Sequence, residues 1–325
     1  MKTLELIFTE CRLYGLQSKK ILKEMLKIPS EEFFKQANIA SRIRPYISNN
    51  SRLIEVPDYQ LKRVQKRIKL FLDYIKTPEY VFSGIKGRSY VNHAILHEGN
   101  KFVYAIDITA FFPSIAREKV YRSFKDNLKT SPDIAEILTN LTTINLDLVS
   151  SKELKEIKSL LLSKGVSTMN HLISGSPSSP IMSYLVNSNM FNELNSLARK
   201  HNMLMTVYID DIIFSSNNVI SRKIRRQIRK IITKYHYKIS HPKEKGYSKH
   251  YPKRITGVII NKSGNISIPN NLRQKIITES KLLQQNPLNT QIQKRLLGLV
   301  SSARQIEPNA FPSIYRIASK KKFFH

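Results

Sequence analysis

Apolar residues at 61, 64, 68 and 72 recur at close to the helical period, and Lys62, Arg63, Lys66, Arg67 and Lys69 fill the positions between them. The pattern predicts an amphipathic helix within RLIEVPDYQLKRVQKRIKLFLDYI, set off by Pro57 from a short strand before it. Residues 1 to 50 read as helical with polar breaks; in KIPSEEFF, Ser30 followed by two glutamates suggests a helix start. FVYAIDI, residues 102 to 108, is apolar and rich in β-formers, with Asp107 at its end. Residues 116 to 163 read as helices with polar linkers, followed by SGSPSSP and an apolar, helix-like run. VYIDDIIF then reads as a hairpin. Residues 220 to 235 predict a second basic amphipathic helix with Ile224, Ile228, Ile231 and Ile232 on one side. A last hairpin is expected around ITGVIINKSGNISI, and residues 270 to 325 read as helical and basic. There is no internal repeat and no low-complexity linker.

Charge changes this picture more than composition does. A hydrophobic share of 41% is that of a globular chain of 325 residues. Its 54 Lys and Arg against 24 acidic residues give a net charge of +30, which opposes compaction unless a polyanion is the partner. Between Arg222 and Arg254 there are thirteen Lys and Arg and one acid, Glu244, better explained by nearby phosphates than by a solvated face. Because the charge recurs along the whole chain, nucleic acid is favoured over a membrane surface. The single cysteine, Cys11, excludes an intramolecular disulfide and a cysteine-based zinc site. Glu5 and Glu10 interrupt the first apolar run, so no signal peptide is expected. The charge-free window Gly165–Asn192 is too rich in Ser, Asn, Gly and Pro to span lipid, so a soluble cytoplasmic protein is expected.

Asp210 and Asp211 stand side by side between two apolar runs. One reading is a wet hairpin turn, where aspartate is at home. The other brings in Asp107, which by itself also reads as a helix N-cap before TAFFPS. If the strands ending in Asp107 and Asp210 lie together in one sheet, three carboxylates meet, and they repel unless cations hold them. Such a set suits two Mg²⁺ ions and phosphoryl transfer, one ion activating a 3′-hydroxyl and the other holding a triphosphate.

FVYAIDITAFFPSI resembles motif A of reverse transcriptases, VYIDDIIF resembles their YxDD motif C, and ISGSPSSP is similar to motif B. FSGIKGRSYVNHAILHEG resembles the NAxxH stretch of bacterial retron reverse transcriptases, with Ala94 and His97 in register, and ITGVIIN resembles their VTG triplet at Ile255, Thr256 and Gly257. The resemblance covers about residues 50 to 320, and, with the sequence ending where retron enzymes end, no RNase H, maturase or endonuclease domain is expected. It departs from the family at three places. Ile173-Ser174-Gly175 replaces PQG, His93 replaces the asparagine of NAxxH, and ISHPKEK lacks the usual motif D asparagine. None of these touches a metal carboxylate, so an active enzyme is expected.

The resemblance implies an α+β right-hand polymerase with an antiparallel palm sheet: an N-terminal helical extension over 1–50, fingers and palm over 51–260, and a basic helical thumb over 261–325 that binds RNA. It implies Asp107, Asp210 and Asp211 as metal and catalytic residues holding two Mg²⁺. Phe112 would exclude a ribose 2′-hydroxyl, with Phe111 in the core. Arg52, Ser174 and Gly175 would meet the incoming deoxynucleotide. Lys243 would protonate pyrophosphate, with Lys245 close enough to compete. Exposed arginines of the basic helix, Arg225, Arg226 and Arg229, are expected on RNA phosphates. A retron enzyme copies a structured non-coding RNA from an internal 2′-hydroxyl into branched multicopy single-stranded DNA, and acts against phage, commonly with a separate effector protein. The alternatives are a mobile-intron or diversity-generating reverse transcriptase, and a non-catalytic RNA-binding scaffold of polymerase fold.

Overall fold

The structure is a computed structural model and describes residues 7 to 319. The first half runs α1 (Lys19–Leu26), α2 (Gln36–Ala40), β1 (Ile43–Ile47), β2 (Leu53–Pro57), α3 (Tyr59–Leu72), α4 (Tyr90–Ile95), β3 (Phe102–Asp107), α5 (Arg117–Arg122), α6 (Pro132–Thr142), β4 (Thr143–Asn145) and α7 (Leu154–Ser163). It continues with β5 (Asn170–Leu172), α8 (Ser179–Val186), α9 (Ser188–Lys200), β6 (Leu204–Tyr208), β7 (Asp211–Ser216), α10 (Arg222–Lys234), β8 (Lys245–Tyr247), β9 (Lys253–Ile255), β10 (Val258–Ile260) and β11 (Ile266–Ser267). Three helices follow: α11 (Asn270–Gln285), α12 (Thr290–Ile306) and α13 (Pro312–Ser319). The expected helix start at Ser30 is only a 3₁₀ turn, and the first fifty residues include β1 as well as helices.

By packing, the chain divides into two compact units, and each is assembled from separate stretches. The first comprises residues up to 88, 106–212 and 221–244; the second comprises 89–105, 213–220 and the residues from 245 onward. These units interleave along the chain, whereas the expected 1–50, 51–260 and 261–325 segments are consecutive.

In the first unit, α3 buries Leu61, Val64, Ile68, Phe71 and Leu72, as its spacing predicts, and packs against α1, α6 and α8. Asp58 caps it by accepting from the Leu61 amide at 2.7 Å. Helix α6 is buried over most of its length, including Ile134, Leu138 and Leu141, which makes it the centre of this core. Strands β1 and β2 form an antiparallel hairpin with Ile43 opposite Pro57 and Ile47 opposite Leu53. Helix α10 buries Ile228 and Ile232 and leaves its basic residues outward or at the margin.

A four-stranded sheet runs in the order β6-β7-β3-β8. Only Ile209 and Asp210 join β6 to β7, so those strands are an antiparallel hairpin, and β3 pairs antiparallel with β8.

The second unit packs α11, α12 and α13 over β9 and β10 through Ile255, Val258, Ile260, Ile276, Leu283, Leu296 and Val300. Thr256 and Gly257 join β9 to β10, both at positive φ (44° and 87°), as a type I′ hairpin turn requires. His93 holds that threonine: its Nδ1 lies 2.9 Å from Thr256 Oγ1. The residue that replaces the asparagine of NAxxH and the central residue of the VTG triplet are therefore two halves of one contact.

His97, fully buried, has Nδ1 2.7 Å from Ser215 Oγ. Burial, then neighbouring His93, pushes its pKa down to about 3. The folded chain keeps His97 neutral, while the unfolded chain protonates it below about 6.5. Stability contributed at neutral pH is thus expected to fade as pH drops below 6.5, by roughly 1.4 kcal/mol per pH unit until about 3. Thermal melts from pH 7 to pH 5 check this: His97→Gln, which does not titrate, should show the shallower slope, and parallel curves would refute it.

Candidate active site

Asp107 ends β3 and Asp211 opens β7, while Asp210 sits in the hairpin turn between β6 and β7. The turn reading holds for Asp210, which does not itself end a strand, and the same turn brings the pair close to Asp107. Asp107 caps no helix; α5 begins only at Arg117. The turn places Ile209 at φ +59°, a rare conformation for a β-branched side chain that costs about 1–3 kcal/mol. Two backbone bonds fix the carboxylates: Ile108 N–H donates to the Asp210 carbonyl at 3.2 Å, and Ser240 N–H to the Asp107 carbonyl at 2.9 Å. Ligand oxygens of the three aspartates lie within 4.8 Å of one another. Asp107 is buried and the other two are half-buried. Three hard oxygen donors at that spacing fit divalent ions such as Mg²⁺.

Repulsion within the cluster shows in its electrostatics. Burial, then the Asp107 carboxylate, raises the Asp210 pKa above the ordinary carboxylate range, against the pull of Arg52 and Lys243. Those two cations divide the cluster between them. Lys243 Nζ donates to both Asp107 oxygens at 2.9 and 3.0 Å, and the Arg52 guanidinium stands 3.8 Å from Asp210. Lys245 instead opens β8, opposite Ala105, so Lys243 is the lysine that reaches the carboxylates.

Phe111 is buried against Phe191 and Tyr237, whereas Phe112, five residues past Asp107, stays half-exposed. Ser174 is committed to β2. Its amide donates to a Glu55 carboxylate oxygen at 2.8 Å, and its hydroxyl accepts from the Glu55 amide at 3.1 Å. The shorter side chain that stands for the glutamine of PQG thus spends its hydroxyl on backbone. Gly175 shows why no larger residue fits there, since a Cβ would fall 2.1 Å from the Glu55 carbonyl oxygen.

Glu55 itself was not foreseen. It is fully buried, accepts from the Ser174 amide, and lies 2.8 Å from His171 Nε2, which is also fully buried. One signal exists in the sequence: in LIEVP, Glu55 shares the inward parity of Leu53 and Pro57, where an acid needs internal partners.

On α10, Arg222, Arg225, Arg226 and Arg229 follow the i, i+3, i+4, i+7 stripe and line a hollow of about 350 Å³. They are not equally exposed. Arg225 is half-buried, and Arg229 donates through Nε and an Nη to Glu244 at 2.8 and 2.6 Å. The one acid of the basic segment is therefore a clamp on one of its arginines.

Three carboxylates gathered at the β3 end and the β6–β7 hairpin, with Lys243 on one and Arg52 beside another, are what a two-metal phosphoryl-transfer site requires. Residues 35–260 match the family described as reverse transcriptase (RNA-dependent DNA polymerase), and the chain belongs to that family. Its similarity runs to the retron members. It is 28% identical to the retron Se72 reverse transcriptase of Salmonella heidelberg over 57% of this chain and 43% of that one. It is 25% identical to the retron Mx65 reverse transcriptase of Myxococcus xanthus over 70% of this chain and 53% of that one. It is 25% identical to the retron Ec73 reverse transcriptase of Escherichia coli over 93% and 91%. The chain thus spans about half the length of the first two relatives and nearly all of the third. No helix among the described residues is long and apolar enough to cross a membrane.

Proposed function

We propose that the protein is the RNA-directed DNA polymerase of a retron. It copies a structured non-coding RNA into branched multicopy single-stranded DNA from a 2′-hydroxyl primer, in defence against phage. The convergence of Asp107, Asp210 and Asp211 within 4.8 Å, in a chain of the reverse transcriptase family, carries the reading. Asp107, Asp210 and Asp211 would hold two Mg²⁺, which when bound activate the primer hydroxyl and neutralise charge on the triphosphate. Arg52 binds the phosphates of the deoxynucleotide. Lys243, already on Asp107, gives a proton to the pyrophosphate leaving group, and Gly175 seats the nucleotide beside the β1–β2 hairpin. Residues 51–260 serve as fingers and palm and 261–325 as an RNA-binding thumb. A separate effector protein is the expected partner of the complex in the cytoplasm.

Primer extension with Mg²⁺ and deoxynucleotides tests the enzyme, and extraction of an RNA-linked DNA from cells carrying the flanking locus tests the product. Absence of templated synthesis from the folded protein would leave only an RNA-binding scaffold.

Arg225, Arg226 and Arg229 are assigned to the RNA backbone. Arg225→Gln with Arg226→Gln should flatten the log–log dependence of RNA affinity on salt by about two, roughly one for each phosphate no longer neutralised. Cognate and unrelated structured RNA should weaken alike, because phosphate contacts position and do not specify. An unchanged slope places the RNA elsewhere.

A further inference from the structure

Lys164 immediately follows α7, and its Nζ donates to the Ser51 carbonyl in the turn between β1 and β2. That turn carries Arg52. It is closed by a Ser48 amide to Arg52 carbonyl bond of 2.9 Å, and Ser51 sits at φ +51°. The other end of α7 grips the same hairpin, since the Glu153 carboxylate accepts from the Ile47 amide at 3.4 Å. Lys164 is thereby fixed beside the cations of the active site, and burial, then Arg52 and Lys243, makes its ammonium easier to deprotonate than an ordinary lysine. Arg52 and Lys243 each have a carboxylate partner. Among the described residues Lys164 has none, and the carbonyl of Ser51 engages one of its three donors. The next residue, Gly165, at φ +77°, has no Cβ, and the space beside its backbone is taken by the Lys238 side chain.

A partly exposed ammonium without a counter-ion, held near like charges, is well placed to meet an incoming polyanion. A deoxynucleoside triphosphate brings such charge to this place. We propose that Lys164 is a third cation of the triphosphate site, giving its two remaining donors to the phosphates that Arg52 and Lys243 also serve. The assignment rests on the polymerase reading.

Two substitutions separate charge from support. Lys164→Gln keeps a donor for the Ser51 carbonyl and loses the charge; Lys164→Arg keeps the charge. Steady-state extension of a pre-annealed primer–template should show KM for deoxynucleotide raised about 10–100-fold in Lys164→Gln, the loss of one charge-assisted hydrogen bond, with kcat within a few fold. Lys164→Arg should restore KM to within a few fold of wild type. The thermal shift that inorganic tripolyphosphate produces should shrink in Lys164→Gln and persist in Lys164→Arg. An unchanged KM in Lys164→Gln overturns the proposal, and so does an equal loss in both variants, which would make Lys164 a prop for the turn. Should the wild type extend no primer, the polymerase reading falls, and the tripolyphosphate shift decides alone: its loss in Lys164→Gln sustains the phosphate site, and its persistence there refutes it.

Discussion

Asp210→Asn is expected to lower templated DNA synthesis at least about a thousandfold while the melting temperature in a chelator rises by a few degrees. The two effects have one origin. Asp210 is half-buried and lies within ligand distance of Asp107, so that its pKa is raised by burial and by that neighbour. Two divalent ions would convert this repulsion into binding; without them it is a cost that the amide removes. The Arg52 guanidinium, 3.8 Å away and largely exposed, offsets little of it. Extension assays beside chelated and Mg²⁺-loaded melts check the pair of effects, and the Mg²⁺-induced stabilisation of the wild type should shrink in the variant. Wild-type cDNA yield from Asp210→Asn would remove the carboxylate from the mechanism.

Phe112→Ala is expected to admit ribonucleotides, raising their use relative to deoxynucleotides by roughly 10²-fold, because the barrier to a 2′-hydroxyl is steric. The structure separates this residue from its neighbour: Phe111 is 3% exposed and packs between Phe191 and Tyr237, while Phe112 stays half-exposed on the turn after β3. Removing the Phe112 ring therefore opens little of the core, and deoxynucleotide incorporation should fall much less than in a core truncation. Competition between the two nucleotide types in single-turnover reactions measures the ratio. Undiminished discrimination by a variant that still polymerises would return Phe112 to a packing role.

The carboxylates were legible because their surroundings are: the β-formers on either side of Asp210 and Asp211 within VYIDDIIF favour a hairpin with the aspartates at and just after its turn. The helices α3 and α10 were legible from periodicity alone. Other features arise only once distant segments meet. Strand β8 is Lys-Gly-Tyr, without apolar alternation, and is a strand only because β3 offers its backbone edge. The Arg229–Glu244 pair joins residues fifteen apart across the end of a helix, which no local pattern announces. The cationic group of Arg52, Lys164 and Lys243 draws on three remote stretches of the chain, and in sequence Lys164 is one lysine among many. The contact that His93 makes in place of the family's asparagine, a hydrogen bond with Thr256 163 residues away, is of the same kind.

The interleaving of the two units has a consequence for the order in which the chain is made. When the ribosome has delivered residue 212, the three aspartates exist but α10 and Lys243, both part of the first unit, do not. At 5–20 residues per second the missing stretch to residue 244 takes about 2–6 s, far longer than helices or hairpins need to form. During that interval the nascent chain carries a carboxylate cluster without its lysine, and the face that Ile228 and Ile232 will cover is open. The second unit waits longer still, since its earliest stretch, residues 89–105, packs with residues beyond 245. A message truncated within its last quarter leaves residues 89–105 and 213–220 without the rest of their unit, and should yield insoluble material rather than a soluble fragment.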